Sequence, residues 1–529
     1  MSDPIFETGL NEPPKIRSSK FSATGESVID ESTFNAIEID RLFDSVNHSE
    51  TVIGQATLYK SLIRPLSDIE AITEKQTALN ELTHKPDLRK KIESLVANAS
   101  HRENDFFTLL SGTFIGMLGN THHEHEHEGY GYEPYRKGTQ FMLDIVDDAR
   151  TIESPDSQYL KTVFARIEAF SETKPYLLMR GPAYKTERGM LTKAEKQPLT
   201  PGFIFTPALF KPLLVITLLA AIMMLYHLAP LSPGISPSVL PTLLFFCLPL
   251  SLVYIPAVGT FDRDSCIYPL RDIYKQSHEV EQALESMGKL DELLSFYRFG
   301  QSFKPEAILA KIHVGDQHNM HLRRVKSPIL AKEDHSYVAN SIDLDKDRLT
   351  FITGPNSGGK TAVCKTIAQV QLLSQIGCPV PAESVDASVA DAIFYQVPEY
   401  SKLDAGEGRF ATELRRTKDI FLASSAASLV ILDELSEGTT YEEKLETSEN
   451  ILDGFRRKNN TTVLITHNHE LVEGFLAKKF GQALQVEFKD DDPTYRLING
   501  VSHVSHADRV AENIGFSKKD IDKYLDDET

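Results

Sequence analysis

The residues best suited to chemistry in this chain stand in one octapeptide, Gly354-Pro355-Asn356-Ser357-Gly358-Gly359-Lys360-Thr361. Its glycines let backbone N–H groups turn toward phosphates, Lys360 adds a point charge near the β and γ phosphates, and Thr361 can ligate Mg2+. The flanking elements are those such a loop requires. The apolar run Leu349-Thr350-Phe351-Ile352 reads as a strand before it, and the run from Thr361 to Ile376 reads as a helix whose positive end meets the phosphates. The pattern predicts a nucleoside triphosphate site.

A second pair of residues supplies the rest of the reaction. Ser428-Leu429-Val430-Ile431-Leu432 reads as a buried parallel strand that ends in Asp433-Glu434. Asp433 would hold Mg2+ through water, and Glu434 would position or deprotonate the attacking water, because γ-phosphate hydrolysis needs in-line geometry and charge neutralisation more than covalent chemistry. A further strand, Thr462 to Thr466, ends at His467, at the carboxyl edge of the same sheet, where a side chain can sense a γ-phosphate.

With these residues in place, the stretch Thr353 to Thr361 resembles the ATPase loop of the MutS family, in which a Pro-Asn pair follows the first glycine. Leu432-Asp433-Glu434 with Glu437-Gly438-Thr439-Thr440 resembles that family's Walker B and D-loop, and Ile465-Thr466-His467 its switch histidine. Tyr495-Arg496-Leu497 through Gly500-Val501-Ser502, then Ser505-His506-Ala507, Val510-Ala511 and Gly515, is similar to its closing helical segment. Upstream, Thr51 to Gly54, Pro65-Leu66-Ser67-Asp68-Ile69, Gln76-Thr77-Ala78-Leu79 and Leu88-Arg89 resemble the start of its helical core. The resemblance implies ATP and Mg2+ as ligands and a homodimer with nucleotides at its interface. One departure stands out: where the family has a segment shaped like Gly-Arg-Ser-Thr-Phe that reaches the partner's ATP, this chain has Gly406-Glu407-Gly408-Arg409-Phe410. Backbone N–H groups of Gly406 and Gly408 could still cradle a γ-phosphate and Arg409 could clamp its charge, or Arg409 is a solvated loop residue.

Length and composition bound what else is present. The 529 residues suffice for about three units with packed cores. A net charge of -19 argues against a broad nucleic-acid footprint, so DNA contact would be weak and local. The first 32 residues look like a disordered tail, and the core starts without a mismatch-reading domain ahead of it. Four cysteines, Cys247, Cys266, Cys364 and Cys378, form no paired motif, which fits a reducing compartment; Met1 to Leu10 has no signal-peptide pattern. The tract His122 to Glu128 alternates His and Glu and could chelate a transition metal, although the following Gly129-Tyr130-Gly131 favours an exposed acidic loop.

Residues 212–261 carry no Asp, Glu, Lys or Arg. Positions 208–229 reach the roughly 20 residues a span needs, and Val239 to Val258 supplies a second candidate. Lys193, Lys196, Lys211, Arg263 and Arg271 on the flanks place both ends on the cytoplasmic side. Beyond the hairpin, Phe261 to Phe299 reads as an amphipathic return helix with Leu270, Ile273, Val280, Leu284, Met287, Leu290 and Leu294 at helical spacing. The expected fold is an α/β P-loop ATPase domain of ABC type over residues 316–529. It joins an all-α MutS-like core, residues 33–202 and 260–315, interrupted by a two-helix transmembrane hairpin over 203–259. The expected function is a membrane-anchored ATPase of the inner membrane facing the cytoplasm, associated with DNA in the mismatch-repair manner. The alternative is a membrane-tethered switch that acts on a protein partner without reading DNA.

Overall fold

The computed structural model describes residues 6, 9–18, 21, 24–116, 119, 121, 123, 125–206, 221, 224, 253–334, 336–345, 347–355, 358–398, 409–435, 440–489, 492–503 and 514–527. The chain divides into two units, one of Met1–Arg17, Ser49–Thr57 and Glu81–Leu294, the other of Ser18–His48, Leu58–Asn80 and Ser295–Thr529.

The first unit is built on two long helices. Pro86–Ser111 buries Ile92, Leu95, Val96, Ala99, Phe106 and Leu110, the three-and-four spacing of a single helix face. Tyr132–Arg150 buries Tyr135, Phe141, Met142, Ile145, Val146 and Ala149 in the same way. The Phe106 and Phe141 rings meet at 5.9 Å. Gly138 permits the close approach, since a Cβ there would lie 2.9 Å from the Asp105 carbonyl oxygen. Short strands accompany these helices: β1 (Thr113–Phe114) pairs in parallel with β2 (Glu126–His127), and β3 (Ala183–Thr186), β4 (Gly189–Leu191) and β5 (Phe203–Phe205) form an antiparallel sheet in the order β4-β3-β5.

These strands correct the expectation of an all-α core. Small sheets are short, and their two-residue periodicity is lost among helical runs of many turns. The transmembrane hairpin is corrected as well: no described helix is long and apolar enough to cross a membrane, and with it goes the expected inner-membrane location. Most of 203–259 lies outside the described residues; at its ends Phe205 and Gly259 are buried, whereas Phe203, Ile204, Val253 and Tyr254 are exposed. Phe205 is buried, its ring 5.2 Å from that of Tyr135. At the far end, a helix over 253–262 runs into a π-helical turn, Arg263–Ile267, and then helix Tyr268–Lys275. Absence of charge reports transfer free energy averaged along a window; it does not report whether the fold itself supplies partners for the apolar surface. The expected single return helix is interrupted at Gln276 and Ser277 before helix His278–Gln301. Leu270, Val280, Leu284, Met287, Leu290 and Leu294 are buried, and Ile273 is half-buried.

The second unit contains two sheets. Strands β6 (Lys311–His313), β7 (Met320–Val325), β8 (Asn340–Leu344) and β10 (Ser384–Ser388) form one, in the order β6-β10-β7-β8. The larger sheet comprises β9 (Leu349–Thr353), β11 (Ile393–Gln396), β12 (Leu429–Asp433), β13 (Thr461–Ile465), β14 (Gln482–Lys489) and β15 (Asp492–Asn499) in the order β11-β12-β13-β9-β14-β15. Only β15 is antiparallel to its neighbour. Every residue of β9 and β13 is buried, as expected of parallel strands covered on both faces. The β11 edge is covered by the N-terminal segment: Ile393 N–H donates to the Val28 carbonyl at 2.7 Å and Tyr395 N–H to Thr33 Oγ1 at 3.1 Å.

Candidate nucleotide site

The sheet register brings the chemistry together. Asp433 pairs with Ile465 across β12 and β13, and Ile465 pairs with Ile352 across β13 and β9, so the three strands end within one residue of a common row. The residues that follow this row are Gly354 to Thr361, Glu434 and His467. The loop leaves β9 with Gly354 at φ +130° and enters helix Lys360–Gln375 through Gly359 at φ +80°. No side chain caps that helix, so its first N–H groups remain directed at the loop. A Cβ at either Gly358 or Gly359 would also meet a close side chain. A Cβ on Gly358 would lie 3.0 Å from Val486 Cγ2 of β14, and one on Gly359 would lie 3.2 Å from the Tyr495 ring. Tyr495, itself at φ +59°, is held through its backbone: Asn340 Nδ2 donates to its carbonyl at 3.0 Å.

The charges are buried and paired. Lys360 is 2% exposed, and its Nζ donates to the carbonyls of Gly354 at 2.6 Å and Pro355 at 3.0 Å. Burial pushes the ammonium pKa down, while the carboxylates of Glu434 and Asp433 oppose that shift. Thr361 Oγ1 donates to Asp433 Oδ2 at 3.0 Å. Burial pushes the Asp433 carboxyl up, countered by that hydrogen bond and by Lys360 and Lys365. A buried cation at the start of a helix without a side-chain cap suits a polyanion, and a hydroxyl beside a carboxylate is the hard-oxygen pair that suits Mg2+. Both ligands therefore fit the residues present. Cys364, one turn along the helix, is buried and its thiol is pushed well above the usual range, which makes it a packing residue.

Glu434 has a left-handed backbone, φ +64°, pinned by its N–H donating to the Ile465 carbonyl at 3.0 Å. For a residue with a Cβ this conformation costs about 1 kcal/mol, and it turns the carboxylate out of the strand's line. Its Oε1 lies 3.3 Å from His467 Nε2, and its Oε2 lies 3.9 Å from Lys444 Nζ. His467 is set by the turn after β13, where Asn468 caps helix His469–Ala477 by accepting from Leu471 N–H at 3.0 Å. Lys444 escapes a reading by motif, because it meets the site through the left-handed backbone of Glu434.

Asn356 and Ser357 of the loop lie outside the described residues, as do Gly406 and Gly408. Arg409 begins helix Arg409–Ala423, and only its backbone is described. In the histidine-rich tract, Glu126 and His127 form β2, and the Phe114 ring lies 6.3 Å from that of His127.

Residues 350–524 match the family model described as MutS domain V. Over 261 residues the chain is 32% identical to the DNA mismatch repair protein msh3 of Aspergillus fumigatus, covering 46% of this chain and 22% of that protein. It is 30% identical over 251 residues to the DNA mismatch repair protein MutS of Parabacteroides distasonis, covering 45% and 28%. It is likewise 30% identical over 253 residues to the Endonuclease MutS2 of Ligilactobacillus salivarius, covering 47% and 31%. The chain thus spans less than a third of the length of these relatives.

Proposed function

We propose, on the match of residues 350–524 to MutS domain V, that this chain is a Mg2+-dependent ATPase of the mismatch-repair type. The observation that carries this reading is the Thr361–Asp433 pair at 3.0 Å, beside the buried Lys360 and one residue from Glu434. Lys360 and the N–H groups at the start of its helix bind and orient the β and γ phosphates. Thr361 and Asp433 hold Mg2+, which when bound neutralises phosphate charge. Glu434 positions the attacking water and accepts its proton as the γ-phosphate is released, and His467, in contact with Glu434, senses that phosphate.

Two chains are proposed to meet across their nucleotides, with Gly406, Gly408 and Arg409 reaching the partner's ATP. Unchanged ATP-dependent dimerisation and turnover in Arg409→Ala, read by size-exclusion chromatography and phosphate release, would remove Arg409 from that role. The relatives named for DNA mismatch repair support a DNA-associated role for the cycle. A second reading, a switch acting on a protein partner, is favoured by the net charge of -19. The decisive experiment for the site compares two variants. Lys360→Ala should abolish ATP binding, whereas Glu434→Gln should keep binding and lose turnover by about 10²-fold or more. Hydrolysis by Glu434→Gln at the unmodified rate would overturn the assignment of Glu434 as the catalytic base.

A further inference from the structure

The contact between Lys444 and Glu434 has no part in the roles given above. Lys444 stands in the first turn of helix Tyr441–Lys458, which Thr440 caps by accepting from Glu443 N–H. A cation there is electrostatically misplaced, because the helix N-terminus carries the positive end of the dipole, and the other charged residues of that turn, Glu442 and Glu443, have the favourable sign. The ammonium nevertheless turns back toward the site, with its side chain 20% exposed and that of Glu434 15% exposed. A freely solvated surface lysine would not be so covered.

The two oxygens of Glu434 are thereby faced from two different elements. His467, after β13, faces Oε1 at 3.3 Å; Lys444, on the helix that follows β12, faces Oε2 at 3.9 Å. The backbone of Glu434 is already pinned by its left-handed turn and its hydrogen bond to Ile465, so the remaining freedom lies in the side-chain torsions. His467 and Lys444 thus bear on the two oxygens from different sides, the 3.9 Å approach of Lys444 acting through charge and not as a hydrogen bond, so it favours one rotation of the carboxylate over others. With Lys360 beside Asp433 and Lys444 beside Glu434, two ammonium groups also balance the two adjacent carboxylates.

We propose that Lys444 is a positioning residue for the catalytic base: it favours the rotation of the Glu434 carboxylate in which one oxygen is presented to the attacking water. This rests on Glu434 being the residue that positions that water. Misorientation of a general base costs rate while leaving phosphate binding at Lys360 and Thr361 untouched, so kcat and nucleotide affinity should separate.

The experiment measures steady-state ATP hydrolysis and, independently, equilibrium binding of ATP to the full chain. Lys444→Met should lower kcat about five- to twentyfold with Kd for ATP within about twofold, and Lys444→Arg, which keeps the cation, should restore most of the rate. In the Glu434→Gln background, Lys444→Met should cause no further loss. Unchanged kcat in Lys444→Met overturns the proposal, and so does an equal additional loss on top of Glu434→Gln, which would mark a structural effect. If Glu434→Gln itself hydrolyses ATP normally, the underlying assignment of Glu434 fails instead. If Glu434→Gln is inactive while Lys444→Met is normal, only the role of Lys444 falls.

Discussion

At the scale of single residues, Gly359 meets two demands at once. Its φ of +80° lies where a Cβ is strained, and the space a Cβ would enter is closed by the Tyr495 ring at 3.2 Å. Gly359→Ala should therefore displace either the loop or the ring and weaken ATP binding about tenfold or more, from a strain of about 1–2 kcal/mol. Isothermal titration of the variant checks this, and an affinity equal to that of the unmodified protein would show that loop and ring yield freely. Lys360, Thr361, Asp433, Glu434 and His467 are all legible in sequence, because each belongs to a short contiguous motif. Lys444 is not: it lies ten positions beyond Glu434, outside the motif, and meets it where Glu434 adopts a left-handed backbone.

At the scale of elements, the helix Val52–Ile63 shows how a tertiary contact replaces a local cap. Asp291 accepts from the N–H groups of Glu50 and Thr51 and from Thr51 Oγ1, and Glu103 accepts from Val52 N–H at 2.8 Å. Gly54 leaves room for this, since a Cβ there would overlap the Asp291 carboxylate. Burial pushes the Glu103 carboxyl up to about 7, with Asp291 adding to the shift and the backbone donors opposing it. The folded protein then holds a proton on Glu103 that an unfolded glutamate releases near 4.5, so stability falls as pH rises through that window. Glu103→Gln, which keeps the acceptor without the charge, should flatten this slope and stabilise the helix at pH 8 by about 1–3 kcal/mol. Hydrogen exchange of the amides in Val52–Ile63 at pH 5 and pH 8 reads the difference, and an unchanged slope would count against a titrating Glu103. Half-buried His48 and buried His318, both held near 4 with desolvation as the main cause, act in the opposite direction by losing stability on acidification, but they are common to variant and parent.

At the scale of the whole molecule, charge constrains the partner. With a net charge of -19, binding of the isolated protein to duplex DNA should be weak and steeply salt-dependent, with less than about tenfold preference for a mismatch. Fluorescence anisotropy with matched and mismatched duplexes across a salt series measures both quantities. A preference of about a hundredfold or more would show base-pair discrimination within this chain and would discard the protein-partner reading.

Taken alone, the sequence determined the order of the phosphate loop, its strand and its helix, and the acidic pair at the end of a buried strand. Each depends on local chemistry: glycine torsions, apolar runs and the spacing of charged residues. Tertiary structure decided which of those residues meet. The contact of Thr361 with Asp433 spans 72 positions and exists because β9, β13 and β12 lie side by side in one register. It also decided against the expected membrane hairpin among the described residues and placed small sheets in a core that reads as helical. Hydropathy is summed along the chain, whereas burial depends on what the fold brings across it; Phe205 against Tyr135 is a case that no window of sequence contains.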